Sequence, residues 1–468
     1  MNLLNSSVQV RDAVELPSTV SGVTSKPRIV IVGGGFAGIS AAHALRRAEA
    51  DVLLIDRRNH HIFQPLLYQV ATSILSPADI AIPIRQLEVR QQNLSVLLAE
   101  VVGIDLAQRT VDASPPGLGP RKITFDFLVI AAGMRTSYFG HDEYTRYAPG
   151  LKSLSDAETI RTKVLAAFEL AATTDDEAER ARQMTFVLVG AGPAGVELAA
   201  SLAYLVNVTL QGNFRSINPA TARIILLDGA NRILPTFAEA LSRKVTKRLV
   251  SLGVKVVTDV KVEAVDGDGV IAGGSRIPSA TVLWTAGVMA SPITKLLGTK
   301  TDRAGRVMVD PYLKVIDATG VFVVGDAASV AQDGHLVPGV AQAAIQEGRY
   351  VGRLIAQEIE GRHITRPFRY FDKGSMAVVG RNYAVLERGS LRMSGLLTFL
   401  VWAFIHILSL PQLQNRLRVQ RQWFWSYFTG QRSSRLIPEP SRTSNLEGTQ
   451  PKYPTATNTV TNDRVVNT

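Results

Sequence analysis

Arg28-Ile-Val-Ile-Val-Gly33-Gly-Gly35-Phe-Ala-Gly38 decides the fold of this 468-residue chain. Its unbroken apolar run lacks polar alternation and reads as a strand buried on both faces, the kind found in parallel sheets. The strand enters Gly-x-Gly-x-x-Gly directly. In that spacing Gly33 permits a tight turn, Gly35 lets the backbone approach a diphosphate, and Gly38 lets a helix pack against the strand. The helix expected over Ile39 to Ala48 would offer unpaired N–H groups and partial positive charge to the phosphates. A second apolar run, Val52 to Ile55, ends in Asp56. That acid stands 23 positions after Gly33, against about 20 for a carboxylate that binds a ribose hydroxyl.

The unit recurs. Thr185-Phe-Val-Leu-Val189 enters Gly190-Ala-Gly192-Pro-Ala-Gly195, a helix is expected through about Tyr204, and Ile224 to Leu227 ends in Asp228. Asp228 follows Gly190 by 38 positions, a departure that an inserted loop around Asn207 to Pro219 explains. An acid there favours NADH, because it bonds a free 2′-hydroxyl and repels a 2′-phosphate; Arg232 nearby weakens the preference. Two fingerprints imply two dinucleotides, a bound flavin at the first and a diffusible nicotinamide at the second. Val321-Phe-Val-Val-Gly325-Asp326 completes the flavin site, with a carboxylate able to accept from the ribityl chain. Leu128 to Gly133 and Val282 to Gly287 are the expected strand-to-glycine crossings between domains. Val254 to Val257 is another buried strand, and Thr173 to Arg182 a charged, solvated helix.

Composition narrows the chemistry. With no cysteine there is no disulfide framework, thiolate metal site or thiol nucleophile, so redox work falls to a bound cofactor. Lys and Arg exceed Asp and Glu, 51 to 40, a net charge of +11 that favours an anionic partner. Residues 1–26 read as a disordered leader rather than a signal or transit peptide, and the polar stretch past Glu439 as a disordered tail. Leu396 to Leu410 is the longest apolar run, closed by Pro411. It falls short of the roughly 20 residues that span a bilayer, so an interface-lying segment is expected. Arg416, Arg418, Arg421, Arg432 and Arg435 follow without an acid, among Trp423, Phe424, Trp425, Tyr427 and Phe428. This mixture suits an anionic membrane surface better than nucleic acid.

The motifs together resemble the type II NADH dehydrogenases, single-subunit NADH:quinone oxidoreductases, over about residues 27–435. Asp56 to Ala71, with Phe63-Gln-Pro-Leu-Leu-Tyr68, carries the resemblance, as do Gly195-Val-Glu197, Ala341-Gln-Ala-Ala-Ile-Gln346 and Phe371-Asp-Lys-Gly-Ser-Met-Ala377. It implies bound FAD, NADH as donor and a membrane quinone as acceptor. It would set Gln342 and Gln346 beside the flavin and the quinone headgroup, and Glu197 near nicotinamide and flavin. Lys373 would be a flavin-polarising cation or else a surface lysine. His60 and His61 read as structural, and no spacing suggests a metal. Sulfide:quinone reductases share the fold but need cysteines that this chain lacks.

The expected class is α/β: two Rossmann-like dinucleotide-binding domains, for FAD and NADH, plus a C-terminal helical membrane-associating segment. The first part of the FAD domain is expected over 27–150, the NADH domain over 151–300 and the rest of the FAD domain, with the glutamine helix, over 301–385. The anchor follows over 386–436 and the tail over 437–468. The expected protein is peripheral, on the cytoplasmic face of the inner or plasma membrane, with a homodimer allowed and no proton pumping. The rivals are a redox-signalling or nucleic-acid-binding flavoprotein and a soluble flavin or ferredoxin reductase.

Overall fold

A computed structural model describes residues 26–362 and 366–437. The expected leader, apart from Lys26, and the tail from residue 438 lie outside the described residues.

The apolar runs pair as parallel strands. The first sheet has the order Val321–Val323, Phe127–Ile130, Arg28–Val32, Asp51–Asp56, Leu94–Leu98. Ile29, Val30 and Ile31 are fully buried, as a strand covered on both faces requires. Val32 lies opposite Ile55 and Ile130, so Gly33, Asp56 and Ala131 emerge together at the carboxyl edge, where open α/β sheets bind ligands. A second parallel sheet repeats the device in the order Val254–Val257, Arg223–Leu227, Thr185–Val189, Thr281–Trp284. Val189 faces Leu227 and Trp284, which gathers Gly190, Asp228 and Thr285 at one edge. Between the two sheets run the antiparallel strands Met134–Thr136 and Val288–Ala290, just after Gly133 and Gly287.

Three sequence expectations shift. The first fingerprint helix spans Phe36–Ala44, not Ile39 to Ala48. It begins at the glycines themselves, and past Leu45 the chain turns back so that the Asp51 N–H reaches the Pro27 carbonyl. The charged segment Thr173 to Arg182 is not one helix: Leu154–Thr173 ends at its first residue and Glu177–Gln183 starts within it. The break is set by Asp176, whose carboxylate accepts from the N–H groups of Ala178 and Glu179 and so starts a new helix. The boundary expected at 386 cuts a strand. Ser375–Val378, Ala384–Arg388 and Leu391–Gly395 form one antiparallel sheet, and the anchor helices Leu396–Ser409 and Leu413–Thr429 start after it.

Those helices are not appended to a finished core. Trp402, Leu410 and Val419 are buried in the same cluster as Phe168, Phe186 and Leu202 of the second sheet's layer. Their other face exposes Leu396, Leu397, Leu400, Phe404, Leu408, Leu413, Leu417, Phe424, Trp425 and Phe428. Among the described residues no helix is long and apolar enough to cross a membrane.

Candidate functional site

The two fingerprints build the same turn twice. Gly33 and Gly190 take φ of 111° and 102°, which L side chains avoid. Their N–H groups reach Ile55 and Leu227 carbonyls, each at 2.8 Å. A Cβ on Gly38 would strike the carbonyl oxygen of Gly33, and one on Gly195 that of Gly190. The third glycine is therefore a packing requirement in both turns. At Gly35 and Gly192 the Cβ position faces open space, as a turn approached by a ligand should. Asp56 accepts from Gly34 N–H at 2.6 Å and Arg58 N–H at 2.7 Å. Asp228 accepts from Ala191 N–H and from Ala230 N–H. Each acid thus braces its own turn as well as ending its strand. Arg232, the residue that weakened the NADH preference, donates to the Pro235 and Phe237 carbonyls.

A cavity of about 400 Å³ runs along the first sheet's edge, lined by Gly33 to Ala37, Asp56, Gly133, Lys152, Gly325 and Asp326. A recess of about 510 Å³ shares Gly33, Asp56, Arg58 and Met134 with it. These residues fit a flavin dinucleotide: an elongated cleft, an open glycine cradle at a helix N-terminus, and a carboxylate at each side. Behind Gly325, whose φ is 70°, the buried Glu347 accepts the Gly325 N–H at 2.5 Å. Burial pushes the Glu347 carboxyl up to about 8, so it holds that turn largely as a neutral acid. His406 also lines the cavity, with its Nδ1 at 2.7 Å from the Trp402 carbonyl. Burial lowers it to about 4, which leaves the ring neutral.

A second cavity, of about 510 Å³, opens between the anchor helices and this cleft. Leu396, Phe399, Leu400, Trp402, Ile407, Phe424 and Phe428 make it apolar. Tyr68 and Glu197 line both cavities and are the wall between them. Tyr68 receives a bond from Gln69, whose oxygen accepts from Trp423 Nε1 at 2.7 Å. Glu197 sits one turn into the second fingerprint helix, Pro193–Tyr204. Among the described residues its one hydrogen-bond partner is the Val378 N–H at 3.2 Å. Burial outweighs that bond and raises the carboxyl to about 8. Around the apolar cavity, Arg432 Nε, Arg381 Nε, Asn382 Oδ1 and Trp402 Nε1 are buried with no partner among the described residues. Buried polar atoms are almost always bonded, so four orphans around one cavity point to a polar group within it.

The sequence candidates divide. Glu197, Gly33, Gly35, Asp56, Gly133, Gly325 and Asp326 line the flavin-sized cleft, whereas Gly38 packs against Gly33 behind it. Gly190, Gly192, Gly195 and Asp228 form the neighbouring turn, with Gly287 on the crossing beside it. Gln342 and Gln346 do not line either cavity. Gln342 bonds Gly374 O and Lys373 N–H, and Gln346 bonds both polar groups of the Phe371 backbone. Their amides tie residues 371–374 to the helix Ala341–Ile359, a capping role that uses both ends of each amide. Lys373 is exposed because its backbone, not its ammonium, is what that tie holds. Arg432, expected on the surface, is 3% exposed and donates to the Ser201 and Thr72 carbonyls. Sequence reasoning missed Lys152, Glu347, Tyr68 and His406. Glu347, next to Gln346 in the glutamine motif, and Tyr68, which ends the Phe63 to Tyr68 motif, carried a local signal. Among the described residues no group of three or more His, Asp or Glu is placed to hold a metal.

Residues 27–348 match the pyridine nucleotide-disulphide oxidoreductase family. The type II NADH:quinone oxidoreductase NdhA of Mycobacterium tuberculosis is 43% identical over 434 residues, 90% of this chain and 91% of that one. Ndh of the same organism, also a type II NADH:quinone oxidoreductase, is 42% identical over 88% of this chain and 90% of its own. NDH2 from Plasmodium falciparum, solved in complex with NADH, matches with a TM-score of 0.80 at 21% identity, covering 88% of this chain and 100% of that one.

Proposed function

The chain belongs to the type II NADH:quinone oxidoreductases of the pyridine nucleotide-disulphide oxidoreductase family, and from that premise we propose how its two cavities divide the reaction. The protein oxidises NADH through bound FAD and reduces a quinone to quinol. The single observation that carries the division is the shared wall of Tyr68 and Glu197.

FAD, when bound, supplies the two-electron carrier. The chain's residues do the rest. The first turn and Asp326 hold the cofactor, and the second turn holds the NADH diphosphate at a helix N-terminus. The apolar cavity receives the quinone from the lipid side, and its unpartnered donors at Arg432 and Trp402 suit carbonyl oxygens. NADH, a proton and quinone give NAD⁺ and quinol, so a proton must reach the quinone oxygen. Glu197, neutral up to about pH 8, can hold one at that wall. Gln342, Gln346 and Lys373 enter the proposal as positioning residues that fix the 371–374 segment. Exposed Arg418 and Arg421 and the apolar face of the anchor helices suit an anionic membrane surface on the cytoplasmic side. With no step routed across the bilayer, turnover in sealed vesicles builds no proton gradient; a gradient built by this protein alone would refute that.

Glu197→Gln tests the wall. Quinone reduction should fall about 100-fold, the scale of lost acid–base help, while NADH still reduces the flavin at near wild-type rate in stopped flow. An unchanged quinone rate would remove Glu197 from the mechanism. The variant has a stability signature too. Glu197 ionises near 4.5 when unfolded and near 8 when folded. Between those values the folded chain keeps a proton that the unfolded chain has released, so stability falls as pH rises. The loss is on the order of a few kcal/mol. Melting at pH 5, 6.5 and 8 should therefore show a shallower decline in Glu197→Gln; identical slopes would contradict the raised carboxyl.

A further inference from the structure

Lys152 is a half-buried cation at the edge of the first cleft. It sits just before Ser153, the N-cap of the helix Leu154–Thr173. Its own backbone N–H and that of Ser153 both reach the Asp156 carboxylate, at 2.9 and 2.8 Å, so its Cα is fixed. Its side chain lines the flavin-sized cleft together with Gly33 to Gly35, Gly133 and Asp326. Among the described residues nothing bonds its ammonium. Asp326 attracts it across the cleft, but burial outweighs that attraction and lowers the lysine from its ordinary value. Taking an ammonium out of water without a paired anion costs several kcal/mol. A fold that pins such a residue against an open cleft leaves its compensation to whatever fills the cleft. The exposed Lys373, by contrast, already has water around it.

We propose that Lys152 is the residue whose charge tunes the flavin, stabilising the reduced, electron-rich ring system over the oxidised one. This rests on the cleft being the FAD site. The cause is electrostatic: a fixed cation in a low-dielectric cleft favours the form carrying more negative charge. It is a tuning role that needs no proton transfer and no new bond. The same charge sets how easily the cofactor accepts electrons from NADH and gives them to the quinone.

The test is a spectroelectrochemical titration of the purified flavoprotein, wild type against Lys152→Met and Lys152→Arg, with sulfite titrated into each as a second probe. Sulfite adds to the flavin ring and leaves it negatively charged, so its affinity reports a nearby cation. Lys152→Met should lose at least tenfold in the equilibrium constant for two-electron reduction, ~30 mV more negative, and bind sulfite at least tenfold more weakly. Lys152→Arg should stay within threefold of wild type on both. If Lys152→Met fails to retain flavin while Lys152→Arg retains it, the lysine serves to bind the cofactor and the tuning role is overturned. Unchanged potential and sulfite affinity in Lys152→Met overturn the inference, as does loss of flavin from both variants. Weaker FAD binding with an unchanged potential gives the lysine to the diphosphate and also overturns it. An equal or larger shift from Lys373→Met would return the role to that residue. A wild-type protein that purifies without flavin would instead sink the cofactor site itself.

Discussion

Gly195→Val should abolish NADH oxidation in a protein that keeps its flavin, whereas Gly38→Val should yield protein without flavin. The two substitutions are equivalent in geometry and opposite in consequence. In each turn a Cβ on the third glycine meets the carbonyl oxygen of the first, and at Gly195 it also meets Thr285 Oγ1. The helix must then back away from its strand, taking its N-terminal N–H groups with it. At Gly38 the displaced helix is Phe36–Ala44, which forms the proposed flavin cradle. At Gly195 it is Pro193–Tyr204, which carries the proposed nicotinamide turn and Glu197. A loss in kcat/KM for NADH of more than 100-fold, about 3 kcal/mol, is expected for Gly195→Val. Dithionite should still bleach its flavin, which separates a lost substrate site from a lost fold. If Gly195→Val used NADH as well as the wild type does, the second turn would not be the nicotinamide site.

Replacing Leu397, Phe404, Leu413 and Leu417 together by glutamate should release the protein from anionic vesicles while leaving flavin and solution NADH oxidation intact. These four side chains are 63, 64, 69 and 58% exposed and line neither cavity, so acids there are solvated without disturbing the core. Each apolar side chain that leaves the lipid forfeits about 1.5–3 kcal/mol, and each new carboxylate is repelled by anionic lipid. Vesicle sedimentation should fall from nearly complete to nearly none. Persistent sedimentation would show that another surface holds the membrane. Deleting everything from Leu396 onward is a poorer test. It also removes Trp402, Val419 and Arg432, and a buried tryptophan alone is worth about 3–5 kcal/mol.

The pattern of what the sequence disclosed follows from the range of the forces involved. The turns at Gly33 and Gly190 were legible because strand, glycines, helix and acid are neighbours in the chain and each has a local steric reason. That Leu396 to Leu410 is too short to span a bilayer was legible for the same reason, from run length. Lys152 was hidden, since nothing near it in sequence marks a lysine that approaches Asp326 only once the chain has folded. Arg432 looked like one more arginine in a basic stretch. Its burial depends on carbonyls at Thr72 and Ser201, hundreds of residues away. Gln342 and Gln346 carried a familiar motif, but the motif did not say which way their amides turn. In the structure they turn toward residues 371–374, a long-range choice made by unpaired backbone groups.

The central claim is that one chain passes two electrons from NADH to a quinone through its flavin. The most direct measurement is anaerobic stopped flow on the purified flavoprotein, following flavin absorbance through one addition of NADH and then one of a short-chain quinone. One equivalent of NADH should bleach the flavin, and one equivalent of quinone should restore its absorbance in full. A flavin that NADH bleaches and quinone leaves bleached would contradict it.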